Sequence, residues 1–387
     1  MLLPLPFAIA FFAADGKYCL TVGHDKKIIL WNPSRLDPAF STAHSLPSIN
    51  EQNTRTNSGN DVAVSNLPRA LPIQTYEDGI RYTPTALYIN NDSTRILIGS
   101  DKTAVLIDCI TKKVLRQFHH HTAVINSVSM VMLSTTGVDQ VYATASYDAT
   151  VCLWDARSSN TYRPIQVLKD AKDSVTAVDV CSLSNEDDAM IRTASVDGIV
   201  RTYDIRRGML QCDNYGSPVT NMAYAFKSDS VSYFAVSCLD GSIRVTNEAR
   251  DWNRNVTAGI VTLSTKPIIC RDGHVAGRYA LECCFLANGT SLLTGSETGS
   301  AVLYDITTVG DDKRNIDDNS KYESTTAIAA AASSMMMAPK VIEYSGHTAP
   351  TCAVAAHPKK NDVIITASYD GNCIVWANNN NPNEYFQ

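Results

Sequence analysis

A closed ring of seven four-stranded units, an all-β propeller, is the fold class this sequence predicts, and three observations predict it. The first is the order small residue, Thr or Ser, turn acid, aliphatic strand, Trp-Asp in Ala143-Thr144-Ala145-Ser146-Tyr147-Asp148-Ala149-Thr150-Val151-Cys152-Leu153-Trp154-Asp155. The second is its recurrence in degraded form, with the turn acid at Asp25, Asp101, Asp148, Asp197, Asp240 and Asp370 and Thr298 in its place once. The third is a fixed offset. Six residues beyond these positions stand Trp31, Ile107, Trp154, Tyr203, Thr246 and Trp376, with Tyr304 following Thr298. Periodic self-similarity of this kind belongs to units that cannot bury both faces alone and must stack on their neighbours.

The pattern resembles the WD-repeat signature, in which one repeat is one propeller blade of four strands, a to d. In blade 1, Ala8 to Ala13 fits strand a, followed by the Asp15-Gly16 turn, Tyr18 to Gly23 and Lys27 to Trp31. That blade keeps Asp25 and Trp31 but has no Gly-His upstream, while blades 2 and 5 have lost the Trp to Ile107 and Thr246. Blade 3 is complete. Its Asp148 is expected in the turn between strands b and c, His121 in the connection entering strand a, and Trp154 at the end of strand c. A hydrogen-bonded line from acid through imidazole to a strand-b hydroxyl and the indole would pin turns to sheet, which stabilises only where nearly every member is satisfied. Blade 7 carries the other full set, Gly346-His347 with Ser368, Asp370 and Trp376.

A propeller uses about 40 to 45 residues per blade, so seven blades leave part of the 387-residue chain over. The surplus falls into three long c-d loop insertions, at about residues 35–68, 248–266 and 308–340, each after a strand c and before a plausible strand d. Their polar, low-complexity composition, including Asp311-Asp312-Lys313-Arg314, predicts chain without a core of its own. They are expected on the face opposite the b-c and d-a turns. The whole is read as a single domain and a monomer. Blade 7 is expected to lack a full outer strand from the N-terminus, because the prolines within Met1 to Pro6 make a poor strand.

The formal charge of -6 offers no global basic field for a nucleic-acid backbone. The local cluster Arg201, Arg206 and Arg207 is read as a solvated strand end beside Asp197 and Asp204. Eleven cysteines without paired spacing read as free thiols packed as small apolar residues in a reducing compartment. Met1 to Ala14 is apolar but has no basic n-region, and reads as a strand instead of a secretory leader. No other stretch approaches transmembrane length, so no membrane partner is expected.

No enzyme signature stands out. His119-His120-His121 has no nearby Cys or carboxylate to complete a tetrahedral metal set. Gly99-Ser100-Asp101-Lys102-Thr103 lacks the phosphate-loop spacing and opens a strand. The repeat's Asp and His residues are needed to hold turns. Hence no catalytic residue, no metal and no cofactor are assigned, and surface recognition remains. Around the narrow face the residue preceding each turn acid is His24, Ser100, Tyr147, Val196, Leu239, Glu297 or Tyr369. Of these His24, Tyr147, Leu239 and Tyr369 are the candidate partner anchors, since rigid aromatic and apolar side chains supply interface hot spots.

Several segments carry a closer resemblance: Gly16-Lys17-Tyr18-Cys19-Leu20-Thr21, Ser195-Val196-Asp197-Gly198-Ile199-Val200-Arg201-Thr202-Tyr203-Asp204-Ile205-Arg206, Tyr215-Gly216-Ser217-Pro218 and Glu282-Cys283-Cys284. On these the chain resembles the mitogen-activated protein kinase organizer 1 family across all seven blades, outside the three insertions. The resemblance implies a non-catalytic scaffold, association with spliceosomal complexes in pre-mRNA splicing or with kinase-cascade components, and a location in cytoplasm and nucleus. Family members have a longer N-terminal arm that supplies the outer strand of the last blade, and the insertions are foreign to them. A second class stays open. Trp154-Asp155-Ala156-Arg157 fits the box by which substrate receptors dock the adaptor of a cullin-RING ubiquitin ligase, with Arg157 as the discriminating residue and Arg206 in a weaker echo.

Overall fold

The computed structural model describes residues 8–13, 15–36, 70–90, 92–131, 141–182, 189–204, 208–227, 230–247, 259–261, 267–307 and 337–377. Seven sheets follow one another along the chain. Blade 1 holds β1 (Ala8–Phe12), β2 (Cys19–Gly23), β3 (Ile28–Leu36) and β4 (Ala70–Tyr76). Blade 2 holds β5 (Ala86–Ile89), β6 (Arg95–Gly99), β7 (Thr103–Asp108) and β8 (Val114–His119). Blade 3 is β9 (Ile125–Val131), β10 (Val141–Ser146), β11 (Val151–Asp155) and β12 (Gln166–Leu168). Blade 4 is β13 (Val175–Ser182), β14 (Ala189–Ser195), β15 (Ile199–Asp204) and β16 (Met209–Asn214). To its edge is added β20 (Gly259–Val261), from the next blade's c-d connection. Blade 5 is β17 (Val219–Lys227), β18 (Ser230–Cys238), β19 (Ile243–Asn247) and β21 (Ile268–Cys270). Blade 6 is β22 (Cys283–Phe285), β23 (Ser291–Gly295), β24 (Ser300–Asp305) and β25 (Lys340–Ser345). Blade 7 has β26 (Thr351–Ala356), β27 (Val363–Ser368) and β28 (Cys373–Ala377). The protein is a seven-bladed β-propeller.

Strand a of each blade packs against strand a of the next, in the closed order β1, β5, β9, β13, β17, β22, β26 and back to β1. Within each blade the strands run antiparallel, and the core lies between blades. Buried Val151, Leu153, Val178, Ile191 and Tyr203, for example, form one cluster across blades 3 and 4. Closure is apolar as well, with Phe12 and Cys19 of blade 1 packed on Ala353, Ala355, Val363, Ile365 and Ala367 of blade 7. Full burial of a Phe, Val or Ile among them contributes about 1.5 to 3 kcal/mol. The described cysteines stand as free thiols, most of them buried.

Five of the b-c turns share one backbone device. The residue after the turn acid has positive φ in Lys26, Ala149, Gly198, Gly241 and Gly371, at 65°, 63°, 80°, 78° and 80°. Glycine takes this conformation without strain. Ala149 holds it because the turn is bonded on both sides: Asp148 Oδ1 accepts from Thr150 N at 3.0 Å and Thr150 Oγ1 at 2.6 Å, and Asp148 N donates to Ser146 Oγ at 3.2 Å.

Two expectations need correction here. Of the segment 248–266, residues Gly259–Val261 form a fifth strand, β20, parallel to β16 of the preceding blade. An open strand edge satisfies its N–H and C=O groups by pairing, and that edge attracts the insertion onto blade 4. Arg201 is not a solvated strand end. Its guanidinium is 4% exposed and bonds Asp197, 8% exposed, at 2.7 Å. Residues 37–69, 248–258, 262–266 and 308–336 lie outside the described residues, as do Met1 to Pro6 and Arg206, so the expectations for their structure are not addressed. Among the described residues blade 7 has three strands.

Candidate functional site

The turn networks set the height and stiffness of the narrow face. In blade 3 the Trp154 indole N–H lies 2.9 Å from Thr144 Oγ1, His121 Nε2 lies 2.8 Å from the same hydroxyl, and His121 Nδ1 lies 3.0 Å from Asp148 Oδ2. With Asp148 ionised the proton directions follow. Indole donates to hydroxyl, hydroxyl to Nε2, and Nδ1–H to carboxylate, a head-to-tail line in which each dipole strengthens the next. Burial pushes the Asp148 carboxyl up, but His121, Thr150 and the Thr122 N–H outweigh it and hold it well below the usual carboxylate range.

Blade 7 repeats the line with one change from expectation. The strand-b hydroxyl is Thr366 and not Ser368: His347 Nε2 and Trp376 Nε1 lie 2.8 and 2.9 Å from Thr366 Oγ1, and His347 Nδ1 lies 3.0 Å from Asp370 Oδ2. Residues two apart on a strand share a face, so both hydroxyls point the same way, but only Thr366 stands beside the Trp376 ring. Ser368 sits one step nearer the turn, donating to Ala349 O at 2.8 Å and accepting from Asp370 N at 3.2 Å. Thr366→Val should therefore cost about 1 to 3 kcal/mol, because the indole N–H loses its acceptor while the shape is kept. Chemical denaturation compared with Ser368→Ala would check this; a smaller loss for Thr366→Val would reverse the assignment.

The strand-b partner explains how other blades decayed. Trp31 Nε1 donates to Thr21 Oγ1 at 2.8 Å, so blade 1 keeps the indole bond without a histidine. In blades 2 and 5, where Ile107 and Thr246 replace the Trp, the position equivalent to Thr144 is Leu97 and Val236, both buried. Donor and acceptor vanish together, so neither is left stranded at these two positions. Blades 4 and 5 fill the imidazole's role by another route, with Arg201 on Asp197 and Arg244 on Asp240 each at 2.7 Å. Sequence reading missed these arginines, and their signal was an Arg four residues after the turn acid. It also missed Gly273-His274 of blade 6. With Thr298 in place of the acid, His274 Nδ1 turns to Gly295 O at 2.8 Å.

Above these networks lies the rim. The backbone N–H of the residue before the turn acid donates to the d-a connection of the same blade: Tyr147 to Val124 O, Val196 to Ser174 O, Leu239 to Pro218 O, Glu297 to Val275 O and Tyr369 to Pro350 O, at 2.8 to 3.1 Å. Tyr147 is 57% exposed. His24 is exposed, Leu239 half-buried and Ser100 buried. Tyr369 is half-buried and packs on Tyr279 of the d-a connection after blade 5, with ring centroids 5.0 Å apart. That connection is tied down by Glu297 Oε1, which accepts from the N–H groups of Gly277, Arg278 and Tyr279 at 2.7, 2.6 and 3.1 Å. Val275 adds a further apolar surface, 50% exposed. At five positions the rim backbone is thus tied to a d-a connection and carries aromatic and aliphatic side chains.

The histidine triplet diverges. His119 stacks on Tyr162, His120 lies edge-on to Trp154, and His121 belongs to the turn network. Among the described residues no group of His, Cys, Asp or Glu is arranged to hold a metal. Arg157 is 67% exposed and its guanidinium grips Asp155 through two parallel contacts, Nε to Oδ1 at 3.0 Å and Nη2 to Oδ2 at 2.8 Å.

The model of the family described as WD domain, G-beta repeat matches residues 112–155 and 339–377, each running from strand d of one blade through strand c of the next. In these two stretches the chain is similar to WD repeats, and its fold is that of a seven-bladed β-propeller. An uncharacterized WD repeat-containing protein of Schizosaccharomyces pombe is 32% identical over 148 residues, which cover 38% of this chain and 42% of that relative. The WD repeat domain-containing protein 83 homolog of Dictyostelium discoideum is 22% identical over 94% of this chain and 92% of its own length. Among solved structures, a chain of a mitotic checkpoint complex superposes with a TM-score of 0.59 at 13% identity, covering 96% of this chain and 86% of its own, a likeness of fold alone.

Proposed function

We propose that this WD-repeat propeller is a non-catalytic scaffold that docks partner proteins on its narrow face, through Tyr147, Leu239 and Tyr369 with Tyr279 and Val275 beside them. The observation that carries the reading is the rim itself: the exposed Tyr147 and the half-buried Tyr279–Tyr369 pair on a backbone held by hydrogen bonds, so little entropy remains to be lost on binding. Four turn carboxylates beneath, Asp148, Asp197, Asp240 and Asp370, are engaged by His121, Arg201, Arg244 and His347 and held below the usual carboxylate range, which removes these four as proton donors near neutrality. Similarity to a WD repeat domain-containing protein 83 homolog supports the family resemblance in the sequence. Partners among spliceosomal or kinase-cascade components, and a location in cytoplasm and nucleus, are proposed from that resemblance alone.

The combined variant Tyr147→Ala, Leu239→Ala, Tyr369→Ala is expected to lose the principal proteins that co-purify with the wild type, with a small change in thermal midpoint. Undiminished co-purification would remove the rim from consideration. A second reading, a substrate receptor of a cullin-RING ubiquitin ligase, is favoured by one observation, the exposed Arg157 guanidinium preset by Asp155. Arg157→Ala separates the two readings, since it should leave rim partners bound and would abolish recovery of a ligase adaptor only if the second reading holds.

A further inference from the structure

Each blade ends in an outer strand d, whose outward N–H and C=O groups have no further strand of the sheet to join. Blade 4 shows one use of such an edge, since β20 pairs with β16 as a fifth strand. The other edges are unequal. β12 and β21 have three residues each, and β4 carries Pro72, which has no N–H to donate. β25 has six residues but follows closely on residues outside the described ones. β8, the outer strand of blade 2, has six residues and no proline. Against it the chain builds a second wall. Val114 to Gln117 and His119 line one side of an open groove of about 480 Å³, and Ser159, Thr161 and Tyr162 of the blade 3 c-d connection line the other. The walls touch at the end of the strand, where the His119 N–H donates to Thr161 O at 2.9 Å and the His119 ring stacks on Tyr162 with centroids 5.3 Å apart. That bond fixes the phase of the edge. His119, Phe118 and Gln117 pair with Thr103, Ala104 and Val105 without a break. Alternate residues of an antiparallel strand turn their backbone groups to opposite sides, so Gln117, two back from His119, turns its N–H and C=O outward into the groove.

The charge around the groove has one sign. Lys112 and Lys113, just before β8, are exposed, as is Arg163, just after Tyr162. The Arg116 guanidinium bonds two neutral carbonyls, Ala156 O through Nε at 3.1 Å and Leu115 O through Nη1 at 2.9 Å. Nearby carboxylates are engaged elsewhere, Asp155 by Arg157 and Asp108 by the N–H groups of Ile110 and Thr111. We infer that the groove takes an extended acidic segment of a partner protein, added to the edge of β8 as a fifth strand, bonded to the Gln117 backbone and with carboxylates toward Arg116 and Arg163. An edge selects an extended backbone, because that conformation repeats its N–H and C=O groups at the spacing of the strand it joins. Basic walls on a chain of net charge -6 select acidic side chains. Tyr162, 67% exposed, offers a ring face to an apolar side chain between them. The groove lies on the outer flank of the propeller, apart from the rim at the b-c turns, and it does not use Arg157.

Fluorescence anisotropy of a labelled peptide, Thr-Glu-Val-Glu-Val-Glu-Thr, titrated with the full-length chain tests this. The wild type should bind it saturably, and should not hold the same peptide with lysine at the three glutamates. Gln117→Pro should weaken binding at least about tenfold with little change in thermal midpoint, because it removes an outward N–H and none from the ladder with β7. Arg116→Gln should weaken it about three- to tenfold. The rim triple variant and Arg157→Ala should bind the peptide as the wild type does, which separates this surface from the other two. A peptide N-methylated at alternate amides reads the pairing on the wild-type chain itself: one phase should abolish binding and the other preserve it. No saturable binding to the wild type, equal binding of the glutamate and lysine peptides, equal effects of the two N-methylation phases, or full affinity in Gln117→Pro would each overturn the proposal.

Discussion

Trp154→Ala should lower the unfolding free energy by about 3 to 5 kcal/mol, while Thr246→Ala should cost under about 1. The two positions are equivalent in their blades, so the comparison isolates what the network adds. Trp154 is 2% exposed, packs on Phe118 at 4.9 Å, and donates to Thr144, which the imidazole of His121 also engages. Its removal leaves a cavity and takes one end off the bonded line. Thr246 makes one long bond, 3.3 Å to Phe234 O, and fills far less space. Urea denaturation of both variants checks the pair, and similar losses would show that blade 3 is no stiffer than blade 5.

Arg201→Ala should be about as damaging, about 3 to 5 kcal/mol at neutral pH, because it strands a carboxylate in the interior. Burial pushes the Asp197 carboxyl up; Arg201 and the N–H groups of Lys172 and Ile199 outweigh this and hold it below the ordinary range. Its folded value is therefore depressed, and the stability it contributes is present above the unfolded value, about 3.9, and lost as pH falls through the folded one. Without Arg201 that contribution reverses. The deficit of the variant should shrink as pH drops from 7 toward 4 and below, where the orphaned carboxyl takes up a proton. Thermal midpoints of both chains across that range test the sign; a deficit that grows on acidification would contradict the ion-pair account.

What the sequence disclosed is what lies within one hairpin. Asp148, Trp154 and their counterparts sit at fixed short offsets, so the turn and strand c could be read directly, and seven agreeing registers gave the propeller. Thr366 and Ser368 were confused because a two-residue period puts both on one face and only the position of the indole separates them. Arg201 was misread through the general expectation that charges face water; its partner sits in the preceding turn, on the same side of the strand. The paired losses of Trp with the strand-b threonine, at Leu97 and Ile107 or Val236 and Thr246, were visible in the sequence but had no meaning until the indole bond was known. The parallel pairing of β20 with β16 joins segments from different blades, and no local pattern encodes it. The rim side chains could be named, whereas the backbone bonds that fix them, and the stacking of Tyr279 on Tyr369, depend on a long connection with no periodicity.

The apolar seam of Phe12 and Cys19 with Ala353, Val363 and Ile365 joins the first strand described to the last blade. During synthesis this seam cannot form until blade 7 has left the ribosome. Until then blade 1 presents an unpaired greasy flank to the cell, a sticky intermediate of the kind chaperones retain. Once sealed, the ring has no first or last blade, so opening it means separating a packed interface and not fraying an end. Its lifetime, more than its equilibrium stability, is then governed by how fast such a packed seam between blades parts.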